Sequence, residues 1–188
     1  MGDAEPAAAD RNRWNERYAA RRPSFDPHPL VASAVAAGLP GGPVLELAGG
    51  RSGSALALAA EGRAVTVVDV SDVALAQLRD EAVRRGLGPR VDCVCADAAR
   101  LLAGGAHAGR WALVLATRFW DEPAFAAAAS AVAPGGLLAW EALRQDEAPA
   151  RRYRIRHGGL SARLPAGFTV LAEWATDPTT RLLARAPG

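Results

Sequence analysis

Apolar residues along this chain follow two periods. Short stretches at 43–48, 64–70, 91–96, 111–117 and 137–141 are apolar at nearly every position and rich in valine and leucine. Such runs predict strands buried on both faces. Between them, 54–60, 72–85 and 123–132 read as helices. Ser71 is placed to cap the second of these, and Gly86 to end it. Pro134-Gly135-Gly136 reads as a turn. Strands alternating with helices of this size imply a parallel sheet covered on both sides. The end departs from this rhythm. Residues 168–174 and 181–186 both read as strands, and the link 175–180 is too short for a crossover, so the two must run antiparallel. Ahead of the first strand, 11–20 reads as a helix with Trp14 and Tyr18 on one face. Residues 21–29 hold three prolines and predict a loop, and 30–37 a second short helix. The first ten residues are expected to be disordered.

The first strand runs into Ala48-Gly49-Gly50-Arg51-Ser52-Gly53. A glycine-rich turn between strand and helix lets backbone approach a ligand closely, and the helix start offers free N–H groups. Three acids sharpen this. Glu46 precedes the glycines, where it would repel a pyrophosphate and suit a positive amino group, directly or through ordered water. Asp69 ends the second strand, where ribose-binding acids stand, with Val70 beside it. Asp97-Ala98 ends the third, where a carboxylate can accept from the exocyclic amine of adenine. Acids at three consecutive strand ends imply a nucleoside carrying an amino acid, not a dinucleotide.

Composition narrows the partners. The 188 residues are 50% hydrophobic and 22% charged, with a net charge of +2, enough for one domain with one sizeable core. That charge argues for neither nucleic acid nor an anionic membrane. No apolar run is long enough to span a bilayer. Every basic residue besides histidine is arginine, as a GC-rich genome would produce. Cys93 and Cys95 read as buried reduced thiols, and no metal site is expected. With no basic start followed by an apolar block, the expected location is cytoplasmic.

On these motifs the chain resembles class I S-adenosylmethionine-dependent methyltransferases. Residues 46–53 match the first motif, 65–71 the second, Asp97-Ala98 the third and 111–119 the fourth; 133–138 match the turn and strand that follow. The likeness is nearest to the small tellurite-resistance and thiopurine methyltransferase-like proteins. Trp14-Asn15-Glu16-Arg17-Tyr18 resembles their aromatic N-terminal helix, which often closes over the cofactor, and Thr117-Arg118-Phe119 their fourth motif. The resemblance implies a single α/β domain, a Rossmann-like doubly wound seven-stranded sheet, mostly parallel with an antiparallel C-terminal hairpin, under a helical cap at 11–40. It implies S-adenosylmethionine as cofactor, held by Trp14, Tyr18, Glu46, Ala48, Gly49, Gly50, Asp69, Val70, Asp97, Ala98 and Thr117. It also implies methyl transfer to a small-molecule acceptor. Ser52 departs from the family's glycine spacing. It either hydrogen-bonds the methionine moiety or tightens the loop.

For the acceptor side, Arg118 follows the fourth strand and can hold an anionic group. His157 is the candidate base and Tyr153 the candidate hydroxyl. Read as a strand, 151–157 would place Tyr153, Ile155 and His157 on one face, with a solvated basic face as the alternative. His28 and His107 are expected at the surface. Phe25, Phe119 and Trp120 can wall a pocket. The Asn/Asp-Pro-Pro-aromatic motif of adenine- and glutamine-methylating enzymes is absent. Two other readings stand beside methyl transfer: a nicotinamide-dependent oxidoreductase, and a non-methylating binder of the same cofactor.

Overall fold

The structure, a computed structural model, describes residues 4–146 and 153–188, with side chains from residue 8 onward. Five strands run parallel: β1 (Val44–Leu47), β2 (Val65–Asp69), β3 (Val91–Cys95), β4 (Trp111–Ala116) and β5 (Val132–Arg144). A two-residue β6 (Arg154–Ile155) pairs parallel to the end of β5. β7 (Thr169–Thr176) and β8 (Thr179–Arg185) form an antiparallel hairpin whose β8 lies against β5. The order β3-β2-β1-β4-β5-β8-β7 makes the expected seven-stranded path, with β6 an addition beside it. The chain winds outward from β1 to β3, then crosses back to β4. The switch point therefore lies between β1 and β4.

Alternation within the strands sorts side chains onto two faces. Val44, Val67, Leu113, Leu115, Leu137 and Ala139 pack under α2 (Pro29–Ala36), α3 (Gly53–Ala60) and α4 (Asp72–Arg84). Leu45, Leu47, Val114, Ala116, Leu138 and Trp140 pack under α5 (Ala98–Leu102) and α6 (Glu122–Ala131). Both faces are covered, which is why β1 and β4 are buried at every position. Five helices begin with a side-chain cap: His28, Ser52, Ser71, Asp97 and Asp121 accept the N–H of Leu30, Ala55, Ala74, Arg100 and Ala124.

The structure differs from the pattern reading at several points. Helix α1 (Ala4–Ala19) begins near the start of the chain, so residues 4–10, expected to be disordered, extend the helix expected at 11–20; residues 1–3 lie outside the described residues. The expected turn at 134–136 is an irregularity inside β5, where the register with β4 shifts between Trp111 and Leu113. Gly135 there has φ +70°, and a Cβ on Gly136 would lie 2.9 Å from Ala133 O. Cys93 is only half-buried and Cys95 is exposed, because β3 is the edge strand and lacks cover. His28 and His107 are both half-buried rather than at the surface. The ring of His107 lies against Trp111.

Candidate active site

The turns after β1, β2, β3 and β4 meet along the carboxyl edge of the sheet. In the first, Ala48 and Gly50 have φ +49° and +53°. The left-handed turn costs an alanine about 1 kcal/mol. Gly49 is packed so closely that a Cβ would lie 2.6 Å from Val67 Cγ1 and 3.1 Å from Glu46 Cγ. The Gly50 N–H donates to Asp69 Oδ2 at 2.9 Å, and the Ser71 N–H to Asp69 Oδ1 at 2.8 Å. Asp69 thus ties the glycine loop to the start of α4. Burial pushes its carboxyl up, while the N–H groups of Ser71, Gly50 and Val70 oppose that. Each oxygen takes one of the two short backbone bonds. An ionised carboxylate has about four acceptor sites, so Asp69 keeps capacity for a pair of hydroxyls.

Asp97 caps α5 through Oδ1, accepting Arg100 N–H at 2.9 Å. Ala98 is the first residue of that helix, where an N–H has no acceptor within the helix. Val70 is half-buried, and its carbonyl accepts from Cys95 Sγ at 3.6 Å.

Glu46 is 2% exposed and packs against Gly49 of the loop. Ser52 Oγ donates to its Oε2 at 2.5 Å and accepts Ala55 N–H at 2.8 Å. Of the two roles open to Ser52, the structure shows the second: it tightens the loop. Burial, only partly opposed by Ser52, pushes the Glu46 carboxyl up to about 7.

Helix α1 lies across the start of α4. Asn15 Nδ2 donates to Asp72 Oδ1 at 2.7 Å, and Ser71 Oγ donates to Asn15 Oδ1 at 2.7 Å. Trp14 and Tyr18 are half-buried, with ring centroids 5.9 Å apart. The Tyr18 hydroxyl sits against Gly50, 2.1 Å from where a Cβ would be. Burial, reinforced by Asp69, pushes its pKa up to about 12, so the phenol stays protonated. Arg51 stacks over Tyr18 at 4.9 Å and donates to Arg21 O at 2.8 Å and Gln77 Oε1 at 3.3 Å. Asn15 and Arg51 stand inside the motifs quoted above, but their partners lie far along the chain and only folding reveals them.

After β4, Thr117 is half-buried and Arg118 is exposed with φ +54°. The turn is pinned to β5 from both sides: Phe119 N–H donates to Glu141 O at 3.1 Å, and Trp140 Nε1–H donates to Phe119 O at 2.7 Å. Phe119 and Trp120 are half-buried beside Phe125 and Trp140.

Of 151–157, read either as a strand or as a solvated basic face, only Arg154–Ile155 is strand among the described residues. Tyr153 is exposed with φ +70°, Ile155 is buried and His157 is exposed, so the three do not share a face; Arg151 and Arg152 lie outside the described residues. The left-handed turn at Tyr153 breaks the period. His157 Nδ1 lies 2.9 Å from Oγ1 of the buried Thr180.

One cluster escaped the sequence reading. Glu141 Oε2 receives Arg181 Nε at 2.6 Å, Thr179 Oγ1 at 3.1 Å and His28 Nε2 at 3.2 Å. Burial acts to raise its carboxyl, but His28 and Arg181 win and hold it at about 2. His28 also donates its N–H to Ser54 Oγ on α3 at 3.0 Å, and its Nδ1 accepts Leu30 N–H. No cluster of possible metal ligands occurs among the described residues.

Comparison with known proteins agrees with this geometry. A family profile described as a methyltransferase domain matches residues 44–136, from β1 to the irregularity in β5. A comparison with curated protein sequences finds no match. Among solved structures, 1,6-didemethyltoxoflavin-N1-methyltransferase of Burkholderia thailandensis is similar, with TM-score 0.74 and 18% identity over 100% of this chain and 92% of that one. Magnesium protoporphyrin IX methyltransferase of Synechocystis PCC 6803 aligns with TM-score 0.73 and 18% identity over 99% of each chain. TehB of Haemophilus influenzae aligns with TM-score 0.70 and 16% identity over 85% of this chain and 62% of that one. At these identities the likeness is one of fold. The family match and the site's chemistry favour neither a nicotinamide enzyme nor a non-methylating binder. Residues 44–136, about half of the chain, match the methyltransferase domain family, on a fold that solved S-adenosylmethionine-binding methyltransferases share.

Proposed function

We propose that this protein transfers the methyl group of S-adenosylmethionine to a small-molecule acceptor at the carboxyl edge of β1–β4. The observation that carries this reading is the convergence of the glycine loop, Asp69 and the Asp97-Ala98 helix start on consecutive strand ends. In it, Asp69 takes the ribose hydroxyls, Asp97 and Ala98 the adenine edge, and Ala48, Gly49 and Gly50 lend their backbone to the methionine part. Trp14 and Tyr18 close from above, and Val70 and Thr117 line the walls. Glu46 supports the loop from below. The bound cofactor supplies an electrophilic methyl; the protein's part is to hold the acceptor in line with it.

On the acceptor side Arg118 holds an anionic group. It is exposed, and none of the ion pairs among the described residues involves it. His157, oriented through Nδ1 by Thr180, is the group to take a proton from a hydroxyl or amine acceptor, with Tyr153 nearby in sequence. Neighbours of similar fold act on small heterocycles, a toxoflavin precursor and a porphyrin by their names, which supports a small acceptor over nucleic acid. No helix among the described residues is long and apolar enough to cross a membrane. Both cysteines are free thiols, which fits a cytoplasmic location.

Calorimetry with S-adenosylmethionine and S-adenosylhomocysteine tests the binding, followed by detection of S-adenosylhomocysteine formed with a panel of small acidic and phenolic acceptors. Micromolar binding of both is expected. Absence of binding at millimolar concentration would overturn the reading.

A further inference from the structure

Just before the cofactor loop stands a carboxyl group that no cation among the described residues pairs with. Glu46 is 2% exposed at the end of β1. The titratable groups whose charge acts on it come from other elements: Asp69 on β2 and Tyr18 on α1, an acid and a phenol. Gly49 and Val67 fill the space between the loop and β2. Arg51, the arginine of the loop, stacks over the Tyr18 ring and donates to Arg21 O and Gln77 Oε1. No ion pair among the described residues involves Glu46. A buried carboxyl without a cation favours its neutral form.

Its one short partner is suited to both forms. A serine hydroxyl can donate to a carboxylate or accept from a carboxylic acid. Ser52 Oγ is 2.5 Å from Glu46 Oε2 and stays anchored as the cap of α3 in either case. A glycine, which the family's spacing places here, would offer neither. The chain's departure from the family pattern thus coincides with the buried acid.

We propose that Glu46 exchanges a proton with solvent across the catalytic cycle, releasing it when the cationic cofactor binds and regaining it when the neutral-sulfur product is present. This rests on the cofactor reading above. On binding, the O–H bond of the Glu46 carboxyl breaks, its electron pair stays on Oε2 as carboxylate, and the proton passes to the buffer; nothing is oxidised or reduced. The ammonium and sulfonium charges favour the carboxylate, as a nearby opposite charge does. Once the methyl has left, sulfur is neutral and that contribution disappears. Ser52 is the positioning residue that keeps the carboxyl in place in both forms.

The experiment is calorimetry at pH 7 in two buffers of different ionisation enthalpy, with the full chain and Glu46→Gln, using S-adenosylmethionine and then S-adenosylhomocysteine. Subtracting the Glu46→Gln result removes protons that belong to the cofactor's own amine. The expected difference is release of about half a proton per site with S-adenosylmethionine, because the group sits near half-titration, and distinctly less with S-adenosylhomocysteine. Equal buffer dependence in the two proteins, or equal release for the two cofactor forms, overturns the proposal. If Glu46→Gln does not fold, the carboxyl carbon shift of labelled Glu46, followed by pH titration of the free and cofactor-bound protein, decides instead. An apparent pKa unchanged by cofactor overturns the proposal. Failure of either cofactor form to bind at all would instead sink the cofactor reading itself.

Discussion

Asp69 carries more than one role at the scale of a single residue. Its two oxygens hold the glycine loop and the α4 start, and they are also the acceptors offered to the ribose. Asp69→Ala therefore removes ligand contacts and loop geometry together. With hydrogen bonds to a charged acceptor at about 1.5–3 kcal/mol each, cofactor affinity should fall at least about 100-fold, measured by calorimetry. Arg118 should separate cleanly from this. Arg118→Ala is expected to leave S-adenosylhomocysteine affinity unchanged and to raise the KM of an anionic acceptor about tenfold or more, the scale of one lost charge-assisted contact. Glu46 and Asp69 show how far residue-level reading goes. Both acids were visible from their places at strand ends. Both stand on the same face of the sheet, because Glu46 is in register with Val67; that Glu46 is buried under the loop follows from the packing of Gly49 against it, which sequence position does not report.

At the scale of elements, the N-terminal segment is fastened in two places. Helix α1 is held through Asn15 and Arg51, and the segment before α2 through His28. Gly53 lies so close to the carbonyls of Phe25 and Asp26 that a Cβ would come within 2.4 Å of both. The His28 ring caps α2 through Nδ1 and reaches Glu141 on β5 through Nε2. His28→Ala removes both bonds and leaves Glu141 with two donors. A cap and a bond to a charged group together contribute about 2 kcal/mol. For a domain of this size, loss of that amount lowers Tm by about 4–8 °C, to be read by differential scanning calorimetry. The pattern of apolar positions located the strands and helices well because burial on both faces leaves a strong imprint. It failed at Tyr153, where a left-handed turn interrupts the pattern, at Gly135, where the expected turn is an irregularity inside β5, and at residues 4–10, which extend α1.

For the whole molecule, the two buried glutamates, Glu46 and Glu141, bend the stability curve in opposite places. Glu46 has its carboxyl raised from 4.5 to about 7 in the folded state. Folding then binds a proton, so this contribution is complete below about pH 4.5 and is lost as pH rises through 7. Its size is on the order of 3 kcal/mol. Glu141 is lowered to about 2. Its contribution is present above about pH 4.5 and is lost as pH falls toward 2. Without cofactor, Tm should fall between pH 5 and pH 7, and Glu46→Gln should flatten that slope. A second fall below pH 4.5 should be blunted in Glu141→Gln. Thermal melts across pH check both, and an unchanged slope between pH 5 and pH 7 in Glu46→Gln would show that Glu46 is not its source.

By itself the sequence determined the alternation of elements, the strand ends that carry the acids, the antiparallel close of the sheet and the family. These depend on neighbours in the chain: the period of burial, the cap Ser71, and the spacing of the glycine loop. Tertiary structure alone decided which groups meet across long separations. Asn15 pairs with Asp72, Arg51 with Gln77, and His28 with Glu141. It alone also decided that Glu46 is buried and meets Ser52. The physical reason is that hydrophobic periodicity records how much of each side chain is buried, while hydrogen-bond partners and charge environments depend on which buried faces the fold brings together.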